Sequence, residues 1–274
     1  MGKAQRINRF LFVVFAAAWL AWPTHAADTD NPGLLPVVAH GIVTEVIDGA
    51  VIRVEGIDVD IRLVSIQSPK LPKGRIGFKT WPLAEEARTA LAALVQGRSV
   101  TLHSGTTPRD RNGRILAYLV RDDGLWVQQE LLRQGWARVY TFADNRRFAA
   151  ELYMAEREAR SAGRGIWSDP YYAVRQASPE SLAQDIGTFQ VVKGRVTDAA
   201  KVRGRIFLNF GEDYRSDFTA TIPPDAVRTF TRSDFDPLAL EGKVIRVRGY
   251  LRDYNGPVID VTHPEQIDAD PGSE

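Results

Sequence analysis

Between Ile42 and Val64 the chain alternates in a way that only sheet accommodates. Ile42-Val43-Thr44-Glu45-Val46-Ile47 runs into Asp48-Gly49, a dipeptide that favours a tight hairpin turn. Val51-Ile52-Arg53-Val54 returns, Glu55-Gly56 turns again, and Ile57 to Val64 is expected as a third strand. Its apolar and polar residues alternate through Arg62, which places Asp58, Asp60 and Arg62 on one face. Ser68-Pro69 then closes the run in a turn. So small a sheet has one apolar face to bury, so later segments must close it or cover it.

Those segments are legible. Lys70 to Lys79 is a loop with four basic residues, Lys70, Lys73, Arg75 and Lys79, and no acid. Pro82 to Gln96 is expected as a helix, because Leu83, Ala87, Leu91 and Leu94 recur at helical spacing and Gly97 follows. Strands are expected at Val100–Leu102 and Ile115–Val120, on either side of an Asp110-Arg111-Asn112-Gly113-Arg114 turn. Leu125 to Arg133 reads as a short helix, Trp136 to Tyr140 as a strand and Arg146 to Ser161 as a long helix closed by Gly163. This order suits a small β-barrel with helices packed on it.

Residues 170–187 are mostly polar, contain Pro170 and Pro179, and read as a linker. Strands resume at Phe189–Val196, Ile206–Phe210, Phe218–Ile222, Val244–Leu251 and Val258–Val261, with a short helical insert between Pro223 and Arg232. Over residues 188–268 this pattern fits a second small barrel of the OB type, leaving 269–274 as a tail.

The first 26 residues stand apart. Lys3, Arg6 and Arg9 precede the apolar run Phe10–Trp22 and then Thr24-His25-Ala26, the layout of a cleavable signal peptide. Residues 27–36 read as a flexible lead-in. The expected location is therefore periplasmic or secreted, with no membrane span after cleavage. An exported chain without any cysteine has no disulfide to rely on, and it lacks a thiol nucleophile and a cysteine-based zinc site. Charge is balanced, 35 basic against 34 acidic residues, so a nucleic-acid site must be a local patch.

Several segments in fixed order resemble the staphylococcal-nuclease-like family from about His40 to Asp169. They are Val46-Ile47-Asp48-Gly49, Ile61-Arg62-Leu63 with Ser68-Pro69, Ala84-Glu85-Glu86-Ala87, Asp110 to Arg114 with Leu116-Ala117-Tyr118, Leu132 to Ala137, and Gly165-Ile166-Trp167. The resemblance implies a five-stranded OB-type barrel with three helices over residues 37–169. It also implies a calcium-dependent phosphodiesterase chemistry. In active members two aspartates and a backbone carbonyl hold calcium, a glutamate activates water, and two arginines stabilise charge on the phosphate.

Carried over by position, the arginines are present as Arg62 and Arg114. The aspartate positions fall on Ala50 and Gln67, the carbonyl donor on Ser68, and the general base on Lys70. No metal ligand set and no cofactor are therefore expected, calcium entering only if other oxygens replace the lost ones. Asp48, Asp58 and Asp60 are the nearby carboxylates, although a turn aspartate such as Asp48 ordinarily bonds its own backbone.

The expected ligand site is Arg62, Arg114, Lys70, Lys73, Arg75 and Lys79. Nucleic acid or another phosphorylated polymer is the expected ligand, bound without metal-dependent hydrolysis. Two alternatives stay open: an active calcium-dependent endonuclease using substituted ligands, and an envelope scaffold with a protein partner. Tyr140 and Phe142 read as core aromatics, as do Phe207, Phe210, Tyr214 and Phe218 in the second barrel, where stacking on bases is the other use for them. His40, His103 and His263 lie too far apart to suggest ligand spacing.

Overall fold

The computed structural model describes residues 32–72, 74 and 76–269. The signal-like segment, Lys73, Arg75 and the end of the tail lie outside the described residues. Pro32–Leu34, within the expected lead-in, form a single 3-10 turn.

The first unit is organised by one long bent strand, β1 (Val37–Asp48). Its first half pairs with β5 (Ser99–His103) and its second half with β2 (Val51–Val54). At the handover Gly41 carries no Cβ, which would stand 2.5 Å from Val54 Cγ1. The chain continues through β3 (Ile61–Leu63), β4 (Ile66–Gln67), α1 (Ala84–Val95) and, after β5, β6 (Ile115–Arg121). Strands β1, β2, β3, β6 and β5 close into a barrel in that order, with β3 parallel to β6. Val43, Ile52, Ile61, Leu63, Leu102 and Leu119 fill it.

The expected third strand is shorter than its alternation suggests. Ile57 N–H closes the turn on Val54 O at 3.1 Å, and only Ile61–Leu63 enter the sheet. Asp60 instead accepts from Arg53 at 3.1 Å. The strand also breaks at Ser65, which takes a left-handed φ of 62°. Ser65 Oγ lies 3.0 Å from the Tyr118 hydroxyl and donates to Asn145 O. Beyond this kink β4 leaves the barrel and pairs with β7 (Arg138–Val139).

Helix α2 (Val127–Arg133) covers β6 where it runs past the end of β3. There Gln128, fully buried, accepts from Leu119 N–H and donates to Ala117 O, standing in for the strand that has ended. Helix α3 (Ala149–Ser161) packs against α2 and β7. Two glycine motifs meet beside α2, where a Cβ on Gly135 would lie 2.2 Å from Arg164 O, and Ile166 N–H donates to Gly135 O. No helix among the described residues is long and apolar enough to cross a membrane.

Residues 170–187 connect the two units as a packed strap. Tyr172 and Leu182 are buried, β8 (Arg175–Gln176) pairs in parallel with β9 (Phe189–Arg195), and α4 (Pro179–Leu182) is capped by Ser178. Its polar composition concealed these two apolar anchors. After β9 come β10 (Asp198–Val202), β11 (Arg205–Asn209), β12 (Thr219–Ile222), α5 (Val227–Arg232), β13 (Val244–Asp253), β14 (Pro257–Asp260) and β15 (Ile267–Asp268). One sheet runs β10-β11-β12-β14-β13-β9-β8, with β15 on β13. Val192, Leu208, Phe218, Ile245 and Ile259 lie in its core.

The units are joined through the outward face of β13. Arg248 is buried and donates to both Glu156 oxygens of α3, at 2.9 and 3.0 Å, and to Val139 O at 3.0 Å. Glu156 also accepts from Arg160 at 3.1 Å. Burial alone would raise the Glu156 carboxyl, but Arg248 and then Arg160 hold it below the ordinary glutamate range. Two residues of β4 and β7 add a second contact: Arg138 donates to Gln67 Oε1 at 2.8 Å and to Phe189 O at 3.2 Å. Thr141 and His263 Nε2 lie 2.8 Å apart across the same seam.

Breaking one side of a buried pair leaves the other charge stranded, at a cost of about 3–5 kcal/mol. Arg248→Met is therefore expected to lower the urea midpoint sharply, and the double change Arg248→Met with Glu156→Leu to recover most of it. His263 supplies a pH test. Burial, then Arg146, depress its pKa from 6.5 to about 4. The unfolded chain thus takes up the proton first, and stability present above pH 6.5 is lost as pH falls toward 4. The loss should reach about 3 kcal/mol. Urea titrations across that window should show a flatter pH dependence for His263→Gln than for the parent.

Candidate functional site

Arg62 is carried by β3 with its guanidinium folded back on the barrel. It donates to Ile66 O at 2.8 Å and to Ala50 O at 3.3 Å. The kink at Ser65 is what turns the Ile66 carbonyl toward it. Burial lowers the Arg62 pKa, Asp48 opposes the shift, and Arg114 adds to it. A guanidinium retains its charge under such a shift, and it is pre-oriented for a planar anion.

Arg114 is set by its own turn. Asp110 Oδ1 accepts from the backbone N–H groups of Asn112 and Arg114, at 2.9 and 3.1 Å. Asp110 Oδ2 accepts from Arg114 Nε at 2.7 Å. Desolvation pushes the Asp110 carboxyl up, but the Arg114 side chain and the two amides carry it below the usual range. One carboxylate thus shapes the turn and aims the arginine.

Arg62 and Arg114 line a single cavity of about 350 Å³, with Asp48, Ala50, Val51, Ser68, Lys70, Arg111 and Asn112. The structure brings Lys70 to this wall, where its ammonium also stands 5.2 Å from the centre of the Trp81 ring. Lys79 is exposed and lines neither this cavity nor its neighbour. Lys73 and Arg75 fall outside the described residues.

The residues at the expected calcium position do not fit the ion. Calcium takes six or more oxygen ligands, several of them anionic. Ala50, almost fully buried, presents a methyl group. Asp48 Oδ1 is engaged by the Ala50 N–H at 2.9 Å, as a turn aspartate is expected to be. Gln67 is turned away, its carbonyl oxygen on Arg138, and does not line the cavity. Ser68 Oγ donates to Trp136 O at 2.9 Å. Among the described residues no group of three or more His, Asp or Glu could hold a metal ion. Asp58 and Asp60 lie outside the cavity lining, and the histidines serve elsewhere: His40 beside Thr101, His103 on Leu35 O and His263 at the seam.

A second cavity of about 640 Å³ adjoins the first and shares Arg62, Lys70, Arg111, Asn112 and Arg114 with it. It extends past Arg109 to Tyr140, Phe142 and, from the second unit, Tyr250. Here the expectation of core aromatics is corrected. Phe142 is 50% exposed and Tyr140 only part-buried. The β7 strand is so short that the chain has left the sheet before Tyr140. Burial and Tyr250 push the Tyr140 hydroxyl up to about 12, with Arg62 opposing. Arg62, Lys70, Arg109, Arg111 and Arg114 line this groove with only Asp110 and Asp144 as lining acids, so its charge is locally positive. Arg111 was readable within the turn motif, whereas Arg109 and Tyr250 had no local sequence signal.

In the second unit Phe210 and Phe218 are core, as expected. Phe207 and Tyr214 instead line an apolar hollow of about 500 Å³ with Val202 and the exposed Tyr254.

The comparisons with known proteins agree with this geometry. The family model described as "Staphylococcal nuclease homologue" matches residues 60–169. An "Uncharacterized endonuclease" of Escherichia coli is 33% identical over 151 residues, which is 54% of this chain and 84% of that protein. "Endonuclease YncB" of Bacillus subtilis is 32% identical over 134 residues, 47% of this chain and 62% of that protein. The "SPbeta prophage-derived endonuclease YokF" of the same species is 33% identical over 130 residues, 46% of this chain and 43% of that protein. With a barrel of this topology, two arginines on one cavity wall and these relatives, the chain belongs to the staphylococcal nuclease homologue family.

Proposed function

We propose that this chain is an exported nucleic-acid-binding member of the family that has given up metal-dependent hydrolysis. The observation that carries the proposal is one cavity with both arginines on its wall and no donor set for calcium. Arg62 is a fixed fork and Arg114 is aimed by Asp110, an arrangement that suits a phosphodiester oxygen pair. Lys70 adds charge at the position where a base would be needed, and an ammonium cannot take a proton from water. Lys70, with Arg109 and Arg111 of the groove, extends the contact along a backbone.

We read the second sheet as an OB-like barrel that adds contacts. Its end strand β10 follows directly in the chain on β9, which lies near the opposite end of the sheet, β12 runs parallel to β14, and α5 enters between β12 and β13. The hollow at Phe207, Tyr214 and Tyr254 supplies an aromatic face of the kind that stacks bases. The relatives' names favour the other reading, an active endonuclease, and a stoichiometric protein partner with no nucleic-acid binding at low salt would support a scaffold.

Salt-titrated binding of the mature chain to single-stranded DNA and RNA tests the proposal. Arg62→Ala with Arg114→Ala is expected to weaken affinity at least about tenfold and to flatten the log–log salt slope by roughly 1.4, two phosphate contacts at about 0.7 each. Calcium-dependent, chelator-sensitive cleavage of denatured DNA by the parent chain would overturn it. A restoring variant gives a second test, read by calcium calorimetry. Ala50→Asp, Gln67→Asp and Lys70→Glu together should bind calcium more weakly than the same set with Arg138→Met, because Arg138 competes for the new carboxylate at position 67.

A further inference from the structure

The groove beside Arg62 and Arg114 is not made by the nuclease-like unit alone. Tyr250, on β13 of the second unit, lines the same cavity as both arginines. Strand alternation accounts for its placement. Arg246, Arg248, Tyr250 and Arg252 share the outward face of β13, while Leu251 points into the second core. Arg248 is locked to Glu156 and Val139 O of the first unit. Tyr250 stands one pleat further on, where that face emerges from the seam and 43% of the residue is open.

Its ring plane is held. Tyr250 meets Tyr140 at 6.3 Å and Phe189 at 5.9 Å, both close to edge-to-face. Tyr140 in turn meets Phe142, half exposed, at 4.7 Å. These contacts leave Tyr250 open to the groove rather than covered. An open, orientation-fixed aromatic cluster at the end of a cationic cavity has the make-up of a single-strand site, with phosphates on arginines and bases on rings.

We infer that the second unit completes the ligand groove, with Tyr250 stacking a base of a single-stranded nucleic acid whose phosphate sits at Arg62 and Arg114. This inference rests on the proposed function and makes the two units one binding surface. It also gives the Arg248–Glu156 pair a positioning role, since that pair fixes where Tyr250 stands.

The test uses the full mature chain and two fluorescent probes, an oligothymidylate and an abasic deoxyribose-phosphate strand of equal length. Tyr250→Ala should weaken oligothymidylate binding about tenfold and leave the abasic strand unchanged. Tyr250→Trp should preserve binding to both. Arg62→Ala with Arg114→Ala should weaken both probes. Unchanged oligothymidylate affinity in Tyr250→Ala, or an equal loss on the two probes, would overturn this inference while leaving the phosphate site standing. A parent chain that binds neither probe at low salt would overturn the proposed function itself. An unaltered thermal midpoint for Tyr250→Ala confirms that the variant reports on binding, as its exposure leads one to expect.

Discussion

The placement of everything functional depends on one buried carboxylate. Glu156 sits on α3 with no exposure, accepts from the Val139 N–H of β7, and receives both forks of Arg248 from β13. A glutamate so desolvated is tolerable only because three donors surround it. In satisfying it, the protein fixes β7 against α3, and through β7 the partner strand β4 that ends the Arg62 segment. The same bonds fix the second unit against the first. The cavity at Arg62 and Arg114 and the aromatic end of the groove are thus referenced to a single charged group.

Much of the first unit was legible because local signals agreed with the tertiary outcome. Asp48-Gly49, the alternation through Arg62, and the turn from Asp110 to Arg114 each encode their own geometry through hydrogen bonds to neighbouring residues. The family resemblance assigned Arg62, Arg114 and Lys70 to one site, and these elements place them on one wall. What escaped were features created by contacts across long separations. The turn from Val54 to Ile57 delays the strand to Ile61, so alternation alone begins it too early, and the break at Ser65 is held by Tyr118 and Asn145, far away in sequence. Tyr172 and Leu182 give order to a segment whose composition is that of a tether. Tyr250 reads as one residue among many on a strand, and only the lock at Arg248 places it in the groove.

The groups on the cavity wall are those that recognise anions. Arginine forks, a lysine and an Asp-shaped turn suit binding of a phosphodiester. An active member must bring a divalent ion between these arginines and the phosphate, balanced by carboxylates. Here the cation count at the wall is already high and the counter-charges, Asp48 and Asp110, are engaged in turns. Affinity for the polyanion and competence to cleave it therefore pull the residue choice in opposite directions.

Gln67 couples the wall of the barrel to the joint between the units. Its amide oxygen satisfies Arg138, which is buried between Tyr172 and Phe189 and belongs to the joint with the second unit. An acid placed at this one position would find a guanidinium waiting and be neutralised there. Position 67 therefore answers to the joint between the units before it answers to the cavity: whatever oxygen stands there is already claimed by the arginine that also holds Phe189 O.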